Sequence, residues 1–429
     1  MIQFRDYQEQ IIDNGLHILQ SHGFLYLSME VRTGKTLTAL GICDRIPDIN
    51  RVLFLTKKKA ISSITDDSDK LCPHYELWVQ NYESLHKLPP LKWDVVILDE
   101  AHGMGAFPKP SKRAKDVRHL IAVNRPKVIL LSGTPTPESY SQMYHQVYGI
   151  PNNPFSRYKD FYRFADEHVN KKQRKINGLM INDYSDGKST ILNLMRPYTI
   201  SYTQKEAGFE SEITEKVLRV RMDDSTYHLA NRLKKDLVVE GTDEVILADT
   251  PVKLMMKLHQ IYSGTIKFES GNSMVLDPTK AEFIKQHFSG QKIGIFYKFK
   301  AELKALKSVF GSDLCEDLDT FNNTDCQSIA LQIVSGREGI SLRNADSLVY
   351  YNIDFSATSY WQSRDRMTTK DRLKNDVYWI FSDDGIESKI YKAVTAKKDY
   401  TLKHFKQDYD SVSLDNDRAG HTEQTDKAT

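Results

Sequence analysis

The chain has 429 residues, 40% hydrophobic and 27% charged, with 59 Lys and Arg against 57 Asp and Glu. That composition excludes a disordered or fibrous chain, and the length exceeds one ordinary core, so two domains are expected. A net charge of +2 offers phosphate no general attraction, so a nucleic-acid partner would have to be met by local basic stretches. No apolar run approaches the ~18 residues of a membrane span, and MIQFRDYQEQ has no signal-peptide pattern. The chain is therefore expected to stay in the cytoplasm where it is made, or in a host's cytoplasm if virus-encoded. Cys43, Cys72, Cys315 and Cys326 form no C-x-x-C pair, so reduced thiols are expected and no zinc.

In chain order, FLYLSMEV (24–31) is a short apolar run and TLTALGICDRI (36–46) has apolar residues at helical spacing. Strand, loop and helix are the order that a phosphate-binding loop requires. Further apolar runs at RVLFLT (51–56), WDVVILDE (93–100) and KVILLSG (127–133) are separated by segments with room for helices, as buried parallel strands are. From about residue 151 the sequence turns polar, aromatic-rich and helical, with helical periodicity again around 225–265. Strand signals return at KIGIFYKF (292–299), SIALQIV (328–334) and DSLVYYNID (346–354), a second α/β unit.

Three stretches carry chemistry. TGKT ends like a phosphate loop, although Met29 stands where the full G-x-x-x-x-G-K-[ST] form has its first glycine. Lys35 would neutralise phosphate charge, the Thr36 hydroxyl would bind Mg²⁺, and Thr33 and Gly34 complete the loop. LDEAH, Leu98 to His102, ends an apolar run, where a carboxylate at the carboxyl edge of a strand points into the ligand crevice. There Asp99 can hold Mg²⁺ and Glu100 can orient the attacking water. In LSGTPTPES (131–139), Ser132 and Thr134 can hydrogen-bond the acidic motif and, with His102, relay the state of the nucleotide. Each stretch alone also occurs as an ordinary cap or turn; their order and spacing make coincidence a poor account.

Together these stretches resemble the helicase superfamily two ATPases, and among them the Swi/Snf-like branch of double-stranded DNA translocases. RDYQEQ (5–10) is similar to the family's glutamine motif, which implies that Gln8 reads adenine. MEVRTGKT resembles the branch's D-E-M-G-L-G-K-T, whose first position is not glycine either; Arg32 replaces its inner glycine and is expected to face solvent. RPYTISYTQKEA (196–207) and KLHQIYSG (257–264) resemble the brace and the L-R-Q-I-x-S segment. SGREGISL (335–342) resembles motif V, which implies a coupling role for Gly339. YNIDFSATSYWQSRDRM (351–367) resembles motif VI, whose Q-x-x-x-R-x-x-R pattern supplies arginines to the γ-phosphate. Gln362 and Arg366 fit that pattern; the last arginine falls on Thr369, leaving Arg364, Lys370 and Arg372 as alternatives.

The resemblance implies two RecA-like parallel-sheet lobes in tandem with helical insertions, using ATP and Mg²⁺. Residues 1–200 are expected to form the first lobe, 201–275 a brace and helical connection, 276–405 the second lobe and 406–429 a solvated tail. Thr56, Lys57, Ser335 and Arg337 are the expected contacts to the DNA backbone, and NKKQRK (170–175) is either a flexible insertion or a further grip. The reading is a monomeric ATP-driven motor on duplex or branched DNA, of the compact kind found in phages and mobile elements, serving replication, recombination or repair. Its rivals are an RNA helicase and a nucleotide-dependent DNA clamp with weak ATPase activity.

Overall fold

The computed structural model describes residues 3–176, 179–210, 212–336, 341–369 and 372–396. The chain divides into two compact units, Met1–Phe209 and Glu210–Thr429.

In the first unit α1 (Asp6–His22) leads into β1 (Phe24–Met29), α2 (Lys35–Asp44), β2 (Arg51–Thr56), α3 (Ile61–Leu71) and β3 (Glu76–Asn81). Then come β4 (Val95–Leu98), α4 (Lys112–Asn124), β5 (Lys127–Leu131), α5 (Met143–Val147) and α6 (Phe161–His168). A hairpin of β6 (Lys172–Ile176) and β7 (Leu179–Asp183), α7 (Thr190–Met195) and β8 (Thr199–Tyr202) complete it. Six strands form one sheet in the order β3-β2-β4-β5-β1-β8, every neighbouring pair parallel.

The apolar runs form strands because both faces of the sheet are covered. Side chains alternate between faces. Leu25, Leu27, Val52, Phe54, Val95, Ile97 and Ile129 pack with α1, α2 and α3. Phe24, Tyr26, Leu53, Leu55, Val96, Leu98 and Val128 pack on the other face with α4 to α7. The basic run 170–175 enters β6, antiparallel to β7; Asn-Gly between them is the sequence signal for such a hairpin.

The second unit opens with β9 (Glu212–Val220), α8 (Asp224–Asp236), a small hairpin β10 (Val238–Glu240) and β11 (Val245–Leu247), then α9 (Pro251–Ile261). Another hairpin follows, β12 (Thr265–Lys267) with β13 (Ser273–Val275), then α10 (Thr279–His287), β14 (Ile293–Tyr297) and α11 (Lys300–Phe310). The remaining elements are β15 (Leu314–Cys315), α12 (Leu318–Asn323), β16 (Ser328–Gln332), α13 (Ile333–Gly336), β17 (Ser347–Tyr350), α14 (Ala357–Ser363), β18 (Lys374–Ser382) and α15 (Glu387–Thr395). Its sheet runs β15-β16-β14-β17-β18-β9, again wholly parallel. The fold is thus two RecA-like α/β lobes in tandem.

The expected connection, 201–275, is not a body of its own. Its first residues end β8 in the first sheet, while β9 forms the edge of the second sheet and α8 and α9 pack on that sheet's core. The expected tail, 406–429, lies outside the described residues.

Candidate active site

The parallel sheet of the first unit sends the loops after β1, β2, β4 and β5 to one edge. After β1, residues 30–34 turn into α2 with Arg32 at φ +65° and Gly34 at φ +82°. This left-handed conformation is free to glycine but costs an L side chain about 1–2 kcal/mol. Arg32 therefore adopts a backbone conformation that favours glycine. At Gly34 a Cβ would also lie 2.4 Å from Gln8 Nε2.

The loop is tied down through its carbonyls. Tyr7 OH donates to Thr33 O at 2.9 Å, and Thr33 Oγ1 donates to Glu30 O at 2.8 Å. Gln204, just past β8, donates its N–H to Glu30 Oε2 at 2.7 Å and its Nε2 to Val31 O at 2.9 Å. The first amides of α2 have no carbonyl partner within the helix, and its first turn carries no acid. Such a helix start, with Lys35 and Thr36 half-buried on it, suits a phosphate group. Gln8 lies against the same loop, its Nε2 at 3.4 Å from both Gly34 O and Thr38 Oγ1.

β2 and β4 are neighbours with Leu55 opposite Leu98, so Thr56 and Asp99 emerge side by side. Thr56 Oγ1 donates to Asp99 Oδ2 at 2.7 Å, and Tyr82 OH donates to the Asp99 carbonyl at 2.6 Å. Burial, with the Glu100 carboxylate next to it, pushes the Asp99 carboxyl up to about 6, against the pull of the Lys35 ammonium. A buried acid of this kind gains from a bound cation, which is the donor chemistry that a divalent metal beside a phosphate site requires.

Glu100 has φ +48° and begins the turn Ala101–Met104. This sparsely populated conformation costs of order 1–3 kcal/mol in a non-glycine residue and is a feature of functional sites. Its Oε2 lies 3.2 Å from His102 Nδ1, which is 3.0 Å from Ser132 Oγ. Ser132 Oγ accepts from Thr134 N at 3.1 Å, and the Thr134 hydroxyl is buried with no partner among the described residues. Tyr26 OH donates to Gln146 Oε1 at 2.7 Å, and Gln146 Nε2 to Pro135 O at 2.8 Å, fixing the turn after β5 to the sheet.

In the second unit Gln362 and Arg366 are both buried, on α14 and the turn Arg364–Arg366 after it. Of the alternatives, Arg364 and Arg372 are committed elsewhere. Arg364 Nη1 pairs with Glu215 Oε1 at 2.9 Å, and its guanidinium lies 4.1 Å from the Trp361 ring centroid. Arg372 donates to the carbonyls of Lys374, Asp346 and Ala345.

The first unit thus brings Gln8 of α1 against Thr33, Gly34, Lys35 and Thr36 of the loop and helix start, with Asp99, Glu100, His102, Ser132 and Thr134 on the adjoining strand ends. Thr56, expected at the DNA backbone, is instead fully buried with its hydroxyl on Asp99. Lys57, next in sequence, is half-buried. Ser335 lies in α13, while Arg337, Gly339 and Lys370 lie outside the described residues. Sequence reasoning missed Glu30, Tyr82, Gln204 and Glu215, whose partners are remote in the chain and leave no local signal.

The SNF2-related domain family matches residues 35–265. The chain is 21% identical over 395 residues to the ISWI chromatin-remodeling complex ATPase ISW1 of Saccharomyces cerevisiae, covering 82% of this chain and 33% of that protein. It is 20% identical over 365 residues to the CHD3-type chromatin-remodeling factor CHR7 of Arabidopsis thaliana, covering 75% and 28%. The chain therefore spans roughly a third of the length of these curated relatives. Among solved structures it is similar to the Sulfolobus solfataricus SWI2/SNF2 ATPase core in complex with dsDNA, at 15% identity, TM-score 0.43, 92% of this chain and 91% of that one. The same core domain in a second structure matches at 16% identity, TM-score 0.39, 92% and 89%.

Proposed function

Because this chain belongs to the SNF2-related domain family of Swi/Snf-like ATPases, we propose that it hydrolyses ATP in response to duplex or branched DNA and moves along it. The observation that carries this reading is the convergence, in one unit, of an anion-ready helix start at Lys35 with the Asp99, Glu100, His102 and Ser132 cluster.

In this reading Lys35 and the first amides of α2 hold the β and γ phosphates, and Gln8 lies beside the loop to contact adenine. Thr36 and Asp99 would hold Mg²⁺, which when bound screens phosphate charge. Glu100 orients a water molecule and accepts its proton, and His102 holds the Glu100 carboxylate in place. Ser132, between His102 and the Thr134 amide, passes a shift of the acidic turn to the loop after β5. Arg366 stabilises the charge on the transferred phosphoryl group. Lys57 meets the DNA backbone as a phosphate contact.

The names of the curated relatives, both chromatin-remodelling proteins, support DNA as the partner. Service in phage-type replication, recombination or repair completes the reading, by analogy alone. The test is ATP turnover without nucleic acid and with duplex, single strand, four-way junction and RNA. Stimulation by duplex or junction is expected. Equal stimulation by RNA would replace the reading with an RNA helicase, and negligible turnover on every substrate with a clamp.

A further inference from the structure

Four donors from three elements converge on one carboxylate in the second unit. Tyr360 OH and Arg364 Nη1 reach Glu215 Oε1 at 2.7 and 2.9 Å. Trp379 Nε1 and Tyr391 OH reach Oε2 at 2.9 and 3.2 Å. An ionised carboxylate offers about four lone-pair sites, so Glu215 is saturated. Its side chain is 14% exposed, and the rings around it are packed: Trp379 stacks on Tyr350 with centroids 3.8 Å apart and lies 5.4 Å from Tyr360 and 5.5 Å from Tyr391.

The spacing of its partners gives this hub a direction. Tyr360 and Arg364 are four residues apart and so share one face of the α14 segment. Gln362 lies between them on α14 and Arg366 closes the turn Arg364–Arg366, both of them buried. By binding Tyr360 and Arg364, Glu215 fixes the rotation of the segment that carries Gln362 and Arg366. Glu215 stands on β9, the first strand after the division between the units, and its neighbour β18 supplies Trp379.

We propose that Glu215 is the positioning residue for Gln362 and Arg366: it holds Arg364 in an ion pair and fixes the segment from which Arg366 acts. This rests on the proposed ATPase function and on the role of Arg366 within it.

The experiment compares wild type, Glu215→Gln, Tyr360→Phe, Arg366→Ala and the double variant Glu215→Gln with Arg366→Ala. Each is assayed for kcat and KM for ATP with duplex DNA, and for thermal unfolding. Glu215→Gln should lower kcat by roughly 10- to 100-fold, as a reacting group displaced by about 1 Å does, with KM within a small factor. Tyr360→Phe, which removes one donor and leaves the ion pair, should act in the same direction more weakly. In the Arg366→Ala background Glu215→Gln should have no further effect on kcat. A merely structural role would lower the unfolding temperature and reduce kcat to the same factor with or without Arg366, which would overturn the proposal. So would unchanged kcat in both Glu215→Gln and Tyr360→Phe. If Glu215→Gln does not fold, Tyr360→Phe alone decides. A wild type without turnover would remove the functional reading itself, and normal turnover in Arg366→Ala would remove the role of Arg366; either takes the proposal with it.

Discussion

The Thr56 hydroxyl donates to Asp99 Oδ2 at 2.7 Å, across two strands whose residues are 43 apart in sequence. The bond turns an expected DNA contact into part of the acidic site. Thr56→Val keeps the side-chain shape and removes the donor, so it should lower ATP turnover and raise the Mg²⁺ concentration needed, with DNA affinity unchanged. Lys57→Ala should do the reverse, weakening DNA binding alike on all sequences and reducing the slope of log K against log salt by about 0.9. Titrations of both variants at several salt concentrations check this. Lost DNA affinity in Thr56→Val with normal turnover would return Thr56 to the DNA.

Glu100 and Lys35 should separate chemistry from binding. Glu100→Gln keeps the volume but cannot accept a proton. Turnover should fall by about 10²–10⁴ while ATP still binds. Lys35→Ala should weaken ATP binding as well. Equilibrium binding of a labelled nucleotide, alongside steady-state turnover, distinguishes the two; near-normal turnover in Glu100→Gln would end the assignment.

The three arginines near motif VI should differ in kind. Arg366→Ala should cut DNA-stimulated turnover by roughly 10³ or more, as loss of a transition-state arginine does elsewhere, with ATP affinity little changed. Arg372→Ala removes bonds to four carbonyls, of Arg343, Ala345, Asp346 and Lys374, where β17 and β18 begin, and its main cost should be in stability. Arg364→Ala leaves Glu215 without its cation and should lower stability and turnover together. Turnover that depends on Arg372 and not on Arg366 would shift the register of the segment.

His259 should set part of the acid sensitivity. It is fully buried, with Nε2 donating to Asn352 Oδ1 at 2.6 Å while Asn352 Nδ2 donates to Glu302 Oε1 at 2.7 Å. Burial, and then the Lys298 and Lys280 charges, hold the imidazole well below its usual range. The unfolded chain takes up this proton below about pH 6.5 and the folded chain does not, so stability is full above that pH and is lost as pH falls, by at most about 1.4 kcal/mol per unit. Glu302, whose carboxyl burial raises, opposes this with the contrary sign. Urea midpoints from pH 7.5 to 5.5 should fall less steeply in His259→Gln than in wild type. Parallel curves would show that His259 does not control them.

The central strands and the nucleotide-site motifs were legible in the sequence because both are local. A strand buried on both faces must read as an apolar run, as FLYLSM and VVIL do, and a phosphate loop needs its Gly-Lys-Thr in sequence. The edge strands were not legible. ELWVQN and EITEKVLRV are only partly covered and carry no such run. Strand order alone set Thr56 beside Asp99 and Gln204 on the phosphate loop. At Arg32 only the backbone showed the left-handed conformation, which favours glycine. Helical spacing by itself groups Gln362 with Arg366 and Tyr360 with Arg364. What Tyr360 and Arg364 bind was decided by Glu215, 149 residues from Arg364, because a largely buried guanidinium and carboxylate are stable only where the tertiary fold lets them meet.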